Sequence, residues 1–467
     1  MYKLLLCWRY LLTRYLALVC IVSVLLGVAT LIVVNSVMAG FSTKLRDRLH
    51  GALSDIVVQS WDYTGFDDPT GKMEQIRDDP ELNSRIEAMT PTVEIFAMLQ
   101  FKIQGTPIVR AVRLIGIDPE GRARIGGFAE NLGPANQEHP SFDLSPEALN
   151  RYMDLHPDMG QRSPPIRAND KLPPPDPPPS PPAVPMSAFV GYAIANVRNP
   201  KSTPQKPLPD ICVLNPGEEA KLTTITDGEI KPVEYRYVVA DYYHSEMSEQ
   251  DSQYIFVPLK HLQLLRNMGD RATEIQIRLK NYDKDKELVT KRLQALFKVE
   301  GIQVNTWEDL QGPLLSAIGV ERGILNVLLF MIVGVAGFGI LAIFSMIVVE
   351  KTRDIGILKS LGASHWGILK IFLSYGLLLG LVGAGVGTIL GVTITIYINQ
   401  IEHGLALLTG QDIFPRTIYY FKEIPTDLQP LTLILINVGA VSIAVLFSIL
   451  PALRAALLHP VRALRYE

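Results

Sequence analysis

Four stretches of the chain are almost free of polar side chains: Tyr15 to Val37, Ile324 to Val349, Ile368 to Tyr397 and Leu431 to Leu453. A bilayer core of about 30 Å takes roughly 20 apolar residues in a helix, so each stretch predicts a transmembrane helix. Between the first two the pattern changes to short alternations. In ATEIQIRLK, Ile275, Ile277 and Leu279 fall on one side of an extended chain and Glu274, Gln276, Arg278 and Lys280 on the other, as a half-buried strand requires. Leu288, Val289, Leu293 and Leu296 follow at helical spacing, and IQVNTW from Ile302 reads as a further strand. SDIVVQS from Ser54, AMLQFKIQG from Ala97, IVRAVRLIGI from Ile108 and EYRYVVA from Glu234 add strands whose order the pattern leaves open. The expected fold is an α-helical membrane protein with four transmembrane helices and a large α+β domain inserted between the first and second.

Charge then orients the chain. Lys3, Arg9 and Arg14 precede the first span without an acid, Lys351, Arg353 and Lys359 follow the second, and Arg454, Arg462 and Arg465 follow the fourth. Basic flanks mark cytoplasmic segments, whereas Gln400 to Pro430 sets Arg416 and Lys422 against Glu402, Asp412, Glu423 and Asp427 and suits the opposite side. The resulting organisation is a cytoplasmic N-terminus and first span (1–39), an extracytoplasmic α+β domain (40–322), a second span (323–349), a cytoplasmic loop (350–366), a third span (367–399), an outer loop (400–430), a fourth span (431–453) and a cytoplasmic tail (454–467). A rival reading makes 1–39 a signal peptide cleaved near Val37, Met38 and Ala39, but the apolar run exceeds the roughly 7 to 15 residues of a signal core.

Composition and motifs narrow the function. Of the 33 prolines in 467 residues, 11 lie between Pro164 and Pro185, which reads as a solvated polyproline spacer or as a docking peptide for an aromatic groove. Cys7 and Cys20 lie in or near the first span and leave Cys212 alone outside, so no disulfide framework is expected. HExxH, paired CxxC and GxSxG are absent, and histidines such as His50, His139, His244 and His403 lack ligand spacing. Acids such as Asp241, Glu246 and Asp251 read as a solvated face. GxxxxGK[ST] is absent too, so any ATP use calls for another subunit. No intramembrane ionisable pair marks a solute path: Asn35, Asn326 and Asn437 stand singly, and Lys370 lies near a span end. The third span carries Gly376, Gly380, Gly383, Gly387 and Gly391, whose GxxxG spacings serve packing within one chain or between subunits equally well.

Taken in order, RYLLTRYLALVCIVSVLLGVATLIVVNSVMAGF, VVEKTRDIGILKSLGAS, IFLSYGLLLGLVGAGVGTILG, DIFPRTIYY and SILPALRAALLHPVRALRYE resemble the permease of the bacterial lipoprotein-releasing ABC transporter. LIGIDP, NPGEEAKLTTIT, SEQDSQYIFVPLKHLQLL and VNTWEDL extend the likeness more weakly outside the spans. Single pieces are shared with macrolide-efflux and division-associated permeases. The proline-rich stretch and much of 130–185 have no counterpart in the resemblance.

The resemblance implies a non-catalytic permease of the bacterial inner membrane, with both termini cytoplasmic, that works as a dimer with a second copy or a paralogue. A separate cytoplasmic ABC ATPase would bind ATP and Mg, and this chain would bind no cofactor. It also implies that the loop after the second span is a coupling helix seated on the ATPase, through Glu350, Lys351, Arg353, Asp354, Ile355, Leu358, Lys359 and Leu361. Ile355, Leu358 and Leu361 lie three residues apart and would form an apolar ridge ringed by charge. Lipoprotein acyl chains would leave the membrane lipid between Val33, Val34, Val37, Met38 and Phe41 of the first span and Ile324, Leu325, Leu328 and Leu329 of the second, and pass to a periplasmic carrier. No nucleic acid is expected as a partner. The alternatives are a macrolide-type efflux permease and a scaffold that regulates cell-wall hydrolases.

Overall fold

The computed structural model describes residues 15–157 apart from 63 and 104, then 185–197, 199, 208–227, 231–245, 247–298, 301–409 and 423–459. Of the proline-rich stretch only Pro185 lies inside the described residues, and Lys3, Arg9, Arg14, Arg416, Lys422, Arg462 and Arg465 lie outside them. The chain divides into two compact bodies, residues 1–46 with 314–467, and residues 47–313.

The first body is a helical bundle. Four helices are long and apolar enough to cross a membrane: Tyr15–Ala52, Gly312–Glu350, His365–Ile396 and Pro430–Leu457. The first two outrun their apolar cores. Past Phe41, residues such as Lys44, Leu45, Arg46 and Leu49 are strong helix formers, so the helix continues into polar sequence. At the other junction Pro313 stands beside the helix start, where its missing donor costs nothing.

Small residues bring the bundle together. A β-carbon on Gly383 would stand 2.8 Å from Val24 Cβ, one on Gly387 2.8 Å from the Leu25 carbonyl oxygen, and one on Gly391 3.0 Å from Ile32 Cβ. Gly376 is equally tight against Ser448, and a β-carbon on Gly380 would meet Ala444 Cβ at 3.0 Å. The glycine stripe of the third helix therefore serves packing within the chain, Gly376 and Gly380 against the fourth helix and the other three against the first. Thr388 Oγ1 donates to Asn437 Oδ1 at 3.0 Å and adds a polar tie between the third and fourth helices. Val28, Ile32, Phe344, Leu379 and Ala444 fill the common core.

The second body combines an open sheet with a closed one. Its strands are β1 (Ile56–Ser60), β2 (Ile86–Ile103), β3 (Thr106–Ile117), β4 (Ser187–Gly191), β5 (Asn196–Val197), β6 (Ile211–Cys212), β7 (Glu219–Ile225), β8 (Pro232–Tyr243), β9 (Tyr254–Pro258), β10 (Glu274–Leu279) and β11 (Ile302–Thr306). The open sheet runs β11-β1-β10-β2, and helices Pro69–Asp78 and Tyr282–Leu296 cover it through Met73, Ile76, Val289 and Leu293. Leu288 and Leu296, grouped with these by spacing, remain exposed.

From Val93 onward β2 leaves β10 and pairs with β3, and the order β2-β3-β9-β4-β8-β7 returns to β2 through Met98–Thr223, Leu99–Leu222 and Gln100–Lys221. Six strands thus form a ring filled by Val93, Ile95, Leu99, Leu114, Val190 and Val239. Pro91 explains why β2 is hard to read as one strand. It sits where β2 has β10 as its sole strand neighbour, a position that tolerates a residue without an amide donor. The short β4, β7 and β9 were not among the expected strands. SAFVG is buried at all five positions and so shows no alternation.

Candidate functional site

The charged segment after the second helix is a short helix, Thr352–Ser360, closed by a glycine turn. Gly362 has φ +95°, and the Ala363 and Leu361 amides donate to the carbonyls of Leu358 and Ile357, both at 3.0 Å. A left-handed glycine lets the chain reverse here at no side-chain cost. Ser364 then caps the third helix by accepting from the Gly367 amide at 3.1 Å.

This turn is tied firmly to the bundle. Ile355 is buried among Val348, Ile368 and Ala455, so it joins the second, third and fourth helices. Lys359 Nζ donates to the carbonyl oxygens of Ala456 and Leu458, both at 2.5 Å, and satisfies the end of the fourth helix. Loss of hydration at this contact pushes the Lys359 pKa below the usual lysine range. Thr352 Oγ1 donates to Val348 O at 3.0 Å, and Lys351 pairs with Asp354 at 2.6 Å.

The apolar ridge expected from three-residue spacing is therefore split. Ile355 faces inward because successive steps of three lag the helical turn, whereas Leu358 and Leu361 stay 44% and 79% exposed. Beside them the structure exposes Ile357 and Trp366, which sequence spacing did not single out. Glu350, Arg353 and Asp354 are exposed around this apolar face.

At the far end of the bundle, Val33, Val34, Val37, Met38 and Phe41 are half-buried, Ile324 and Leu328 are exposed, Leu325 is half-buried and Leu329 is buried. Beside them is a small recess of about 10 Å³, room for roughly one water, lined among others by Asn35, Ser36, Arg322, Asp427 and Gln429. One wall is a strap, Ile424 to Gln429, laid across the first helix. The Asp427 amide donates to Ser36 O at 2.9 Å, and a β-carbon on Gly40 would stand 2.5 Å from Thr426 N. Asn399 fixes the strap by accepting from the Ile424 amide at 2.8 Å and donating to its carbonyl at 3.4 Å.

In the second body, charge collects where β2 passes from the open sheet to the ring. Arg113 pairs with Glu94, and buried Arg122 donates to Gln276 and lies 5.8 Å from the Phe128 ring centroid. Glu274 beside them is pushed up to about 7, first by burial and then by the charge of Glu94. Every member of this cluster has a partner that explains it, so it reads as the seam of the domain. Two hollows of about 430 and 400 Å³ open elsewhere on this body, one near Asp241 and Arg151, the other near Glu218 and Arg236. Among the described residues no group of three or more His, Cys, Asp or Glu is placed to hold a metal ion.

Known proteins sharpen this picture. Residues 326–460 match the family model described as FtsX-like permease C-terminal. The chain is 27% identical over 233 residues to the lipoprotein-releasing system transmembrane protein LolC of Xylella fastidiosa, covering 50% of this chain and 55% of that protein. It thus spans about half the length of the curated relatives it matches at this level. Against the LolC protein of Neisseria meningitidis serogroup B the identity is 21% over 453 residues, with 97% of this chain and 94% of that protein covered. The periplasmic region of MacB from Actinobacillus actinomycetemcomitans overlaps 57% of this chain and 94% of its own, at 10% identity and a TM-score of 0.28. The last third of the chain carries the FtsX-like permease domain, and the chain resembles the transmembrane proteins of bacterial lipoprotein-releasing systems.

Proposed function

We propose that this chain is the permease subunit of an ABC transporter that extracts lipoproteins from the outer leaflet of the bacterial inner membrane and hands them to a periplasmic carrier, driven by a separate cytoplasmic ATPase. The observation that carries the reading, beside the likeness to LolC proteins, is the construction of the turn at Thr352–Ser360. It presents Leu358 and Leu361 outward while Ile355 and Lys359 lock it to three helices. Such a turn passes displacement to the bundle instead of absorbing it. The ATPase would hold ATP and Mg, and Glu350, Arg353 and Asp354 would supply ionic contacts around the apolar face.

A push on Ile355 reaches the third helix through Ile368, and the third helix meets the first along Gly383, Gly387 and Gly391. The first helix carries Val33, Val37 and Met38, facing Ile324 and Leu328 of the second in this proposal, where acyl chains would enter. The extracytoplasmic body would pass the cargo on, and a second permease copy or paralogue would complete the path.

Energy is required for that step. At about 0.8 kcal/mol per methylene, one myristoyl-sized chain holds a lipoprotein with on the order of 10 kcal/mol, and a triacylated one with several times that. The test is ATP-dependent release of a triacylated lipoprotein from proteoliposomes containing this chain, its ATPase and a soluble acceptor. Leu358→Asp is expected to abolish release while the chain still reconstitutes. Continued ATP hydrolysis with the lipoprotein retained under every acceptor condition in the unaltered complex would overturn extraction and favour efflux or hydrolase regulation.

A further inference from the structure

Beyond the third helix the chain turns at Tyr397 and forms a second helix, Ile398–Thr409. Its three flanks differ in chemistry. The inner flank carries Asn399, bonded to the strap at Ile424, and the buried Glu402. Another flank exposes Gln400 and His403 together with Leu407. The remaining flank carries Ile401, Leu405 and Leu408, spaced four and three residues apart, 42%, 43% and 85% exposed. A helix in water places its polar residues outward and its leucines against the protein, whereas this one buries its carboxylate and exposes its aliphatic flank.

What that flank meets follows from its continuity with the preceding helix. Lys370 is the last charged side chain before the apolar run, which continues to Tyr397; a helix of that length exceeds a hydrocarbon core of about 30 Å and, tilted, brings Tyr397 to the far headgroup layer. Toward that end the exposed surface carries Ile389, Ile396, Tyr397 and Ile401 alongside Thr393 and Gln400. Tyr397 stands at the turn, where an aromatic ring suits the membrane boundary. An aliphatic flank of Ile401, Leu405 and Leu408 beside one that carries Gln400, His403 and Leu407 suits a helix seated at the bilayer interface.

We propose that Ile401, Leu405 and Leu408 form a lipid-contacting surface seated at the boundary of acyl chains and headgroups in the leaflet beyond the third span. The inference rests on the four helices crossing a membrane and is independent of what the permease transports. It gives the strap a membrane-anchored support, because Asn399, which holds Ile424, is on the same helix.

The test uses the full chain with Cys7, Cys20 and Cys212 replaced by serine, reconstituted in vesicles of phosphatidylethanolamine and phosphatidylglycerol. A nitroxide is placed at Leu408→Cys, and in separate samples at Leu405→Cys, His403→Cys, Leu435→Cys on the exposed face of the fourth helix, and Asp67→Cys on the polar body. Labels at Leu408 and Leu405 are expected to collide with oxygen within about twofold of the Leu435 label, and with a water-soluble nickel chelate at least about fivefold less than the Asp67 label. The His403 label should meet the chelate. Chelate collisions at Leu408 and Leu405 equal to those at Asp67 would place the flank in water and overturn the proposal. Labels shielded from both reagents would overturn it in favour of a protein surface, either another part of this chain or a second copy.

Discussion

The helical bundle and the β-sheet body solve the problem of a dense interior in opposite ways. In the ring of strands, large side chains point inward and fill it, with Leu99 and Val239 wholly buried. In the bundle the decisive residues are those that lack side chains, since Gly383, Gly387 and Gly391 let two helices meet at backbone distance. Where water surrounds a protein, burying apolar surface selects the inside; where lipid surrounds it, leucine gains little by turning inward and close fit must do the selecting. Leu379 and Leu381 of the third helix make the point, one fully buried and the other 53% exposed, with nothing in their chemistry to tell them apart.

That contrast is open to test from both sides. Leu99→Ala should have the largest effect, a loss of about 2–5 kcal/mol, because it leaves a cavity in the ring; hydrogen exchange in β2 and β3 of the full chain checks it. Gly387→Leu should cost about 1–3 kcal/mol by overpacking against Leu25 and Val28, read as a lowered melting temperature of the purified protein, whereas Leu381→Gly should do less through helix propensity alone. A large-to-small change that spared the ring, or a glycine replacement that spared the bundle, would break the comparison.

Glu274 gives the smallest and most condition-dependent effect. Its folded-state pKa of about 7 lies above the ordinary carboxylate value, so the native protein binds more protons than the unfolded chain between roughly pH 4.5 and 7. Stability contributed by this group is full below that window and falls as pH rises through it. Glu274→Gln should therefore raise the melting temperature at pH 8 by about 2–4 °C and leave it unchanged at pH 4, as a thermal scan at the two values would show.

The same physics decides what could be read in advance. The four spans, the strands β1, β3, β8, β10 and β11 and the helix over Leu288–Leu296 follow from hydrophobic period. β4 and β9 escape because both faces are buried and alternation vanishes, and the order of strands depends on pairings across more than a hundred residues. Around the charged turn, the ridge of Leu358 and Leu361 was legible. Ile355 was not, since its inward direction depends on where Val348, Ile368 and Ala455 come to lie. Trp366 fell inside the expected loop but outside the three-residue spacing that picked out the leucines. The strap at Gly40 left no sequence signal, because a lone glycine is compatible with almost anything.

The ring of strands closes through a short fastener. Eleven residue pairs join β2 to β3, but only Met98–Thr223, Leu99–Leu222 and Gln100–Lys221 join β2 to β7, and only Phe189–Phe256 and Val190–Ile255 join β4 to β9. A cylinder opens where its seams are shortest, so partial unfolding of this body should begin at β4–β9 and β2–β7 while the long hairpin of β2 and β3 stays intact. With no disulfide among the described residues to stitch it, the lifetime of the closed cylinder becomes a property of those five residue pairs.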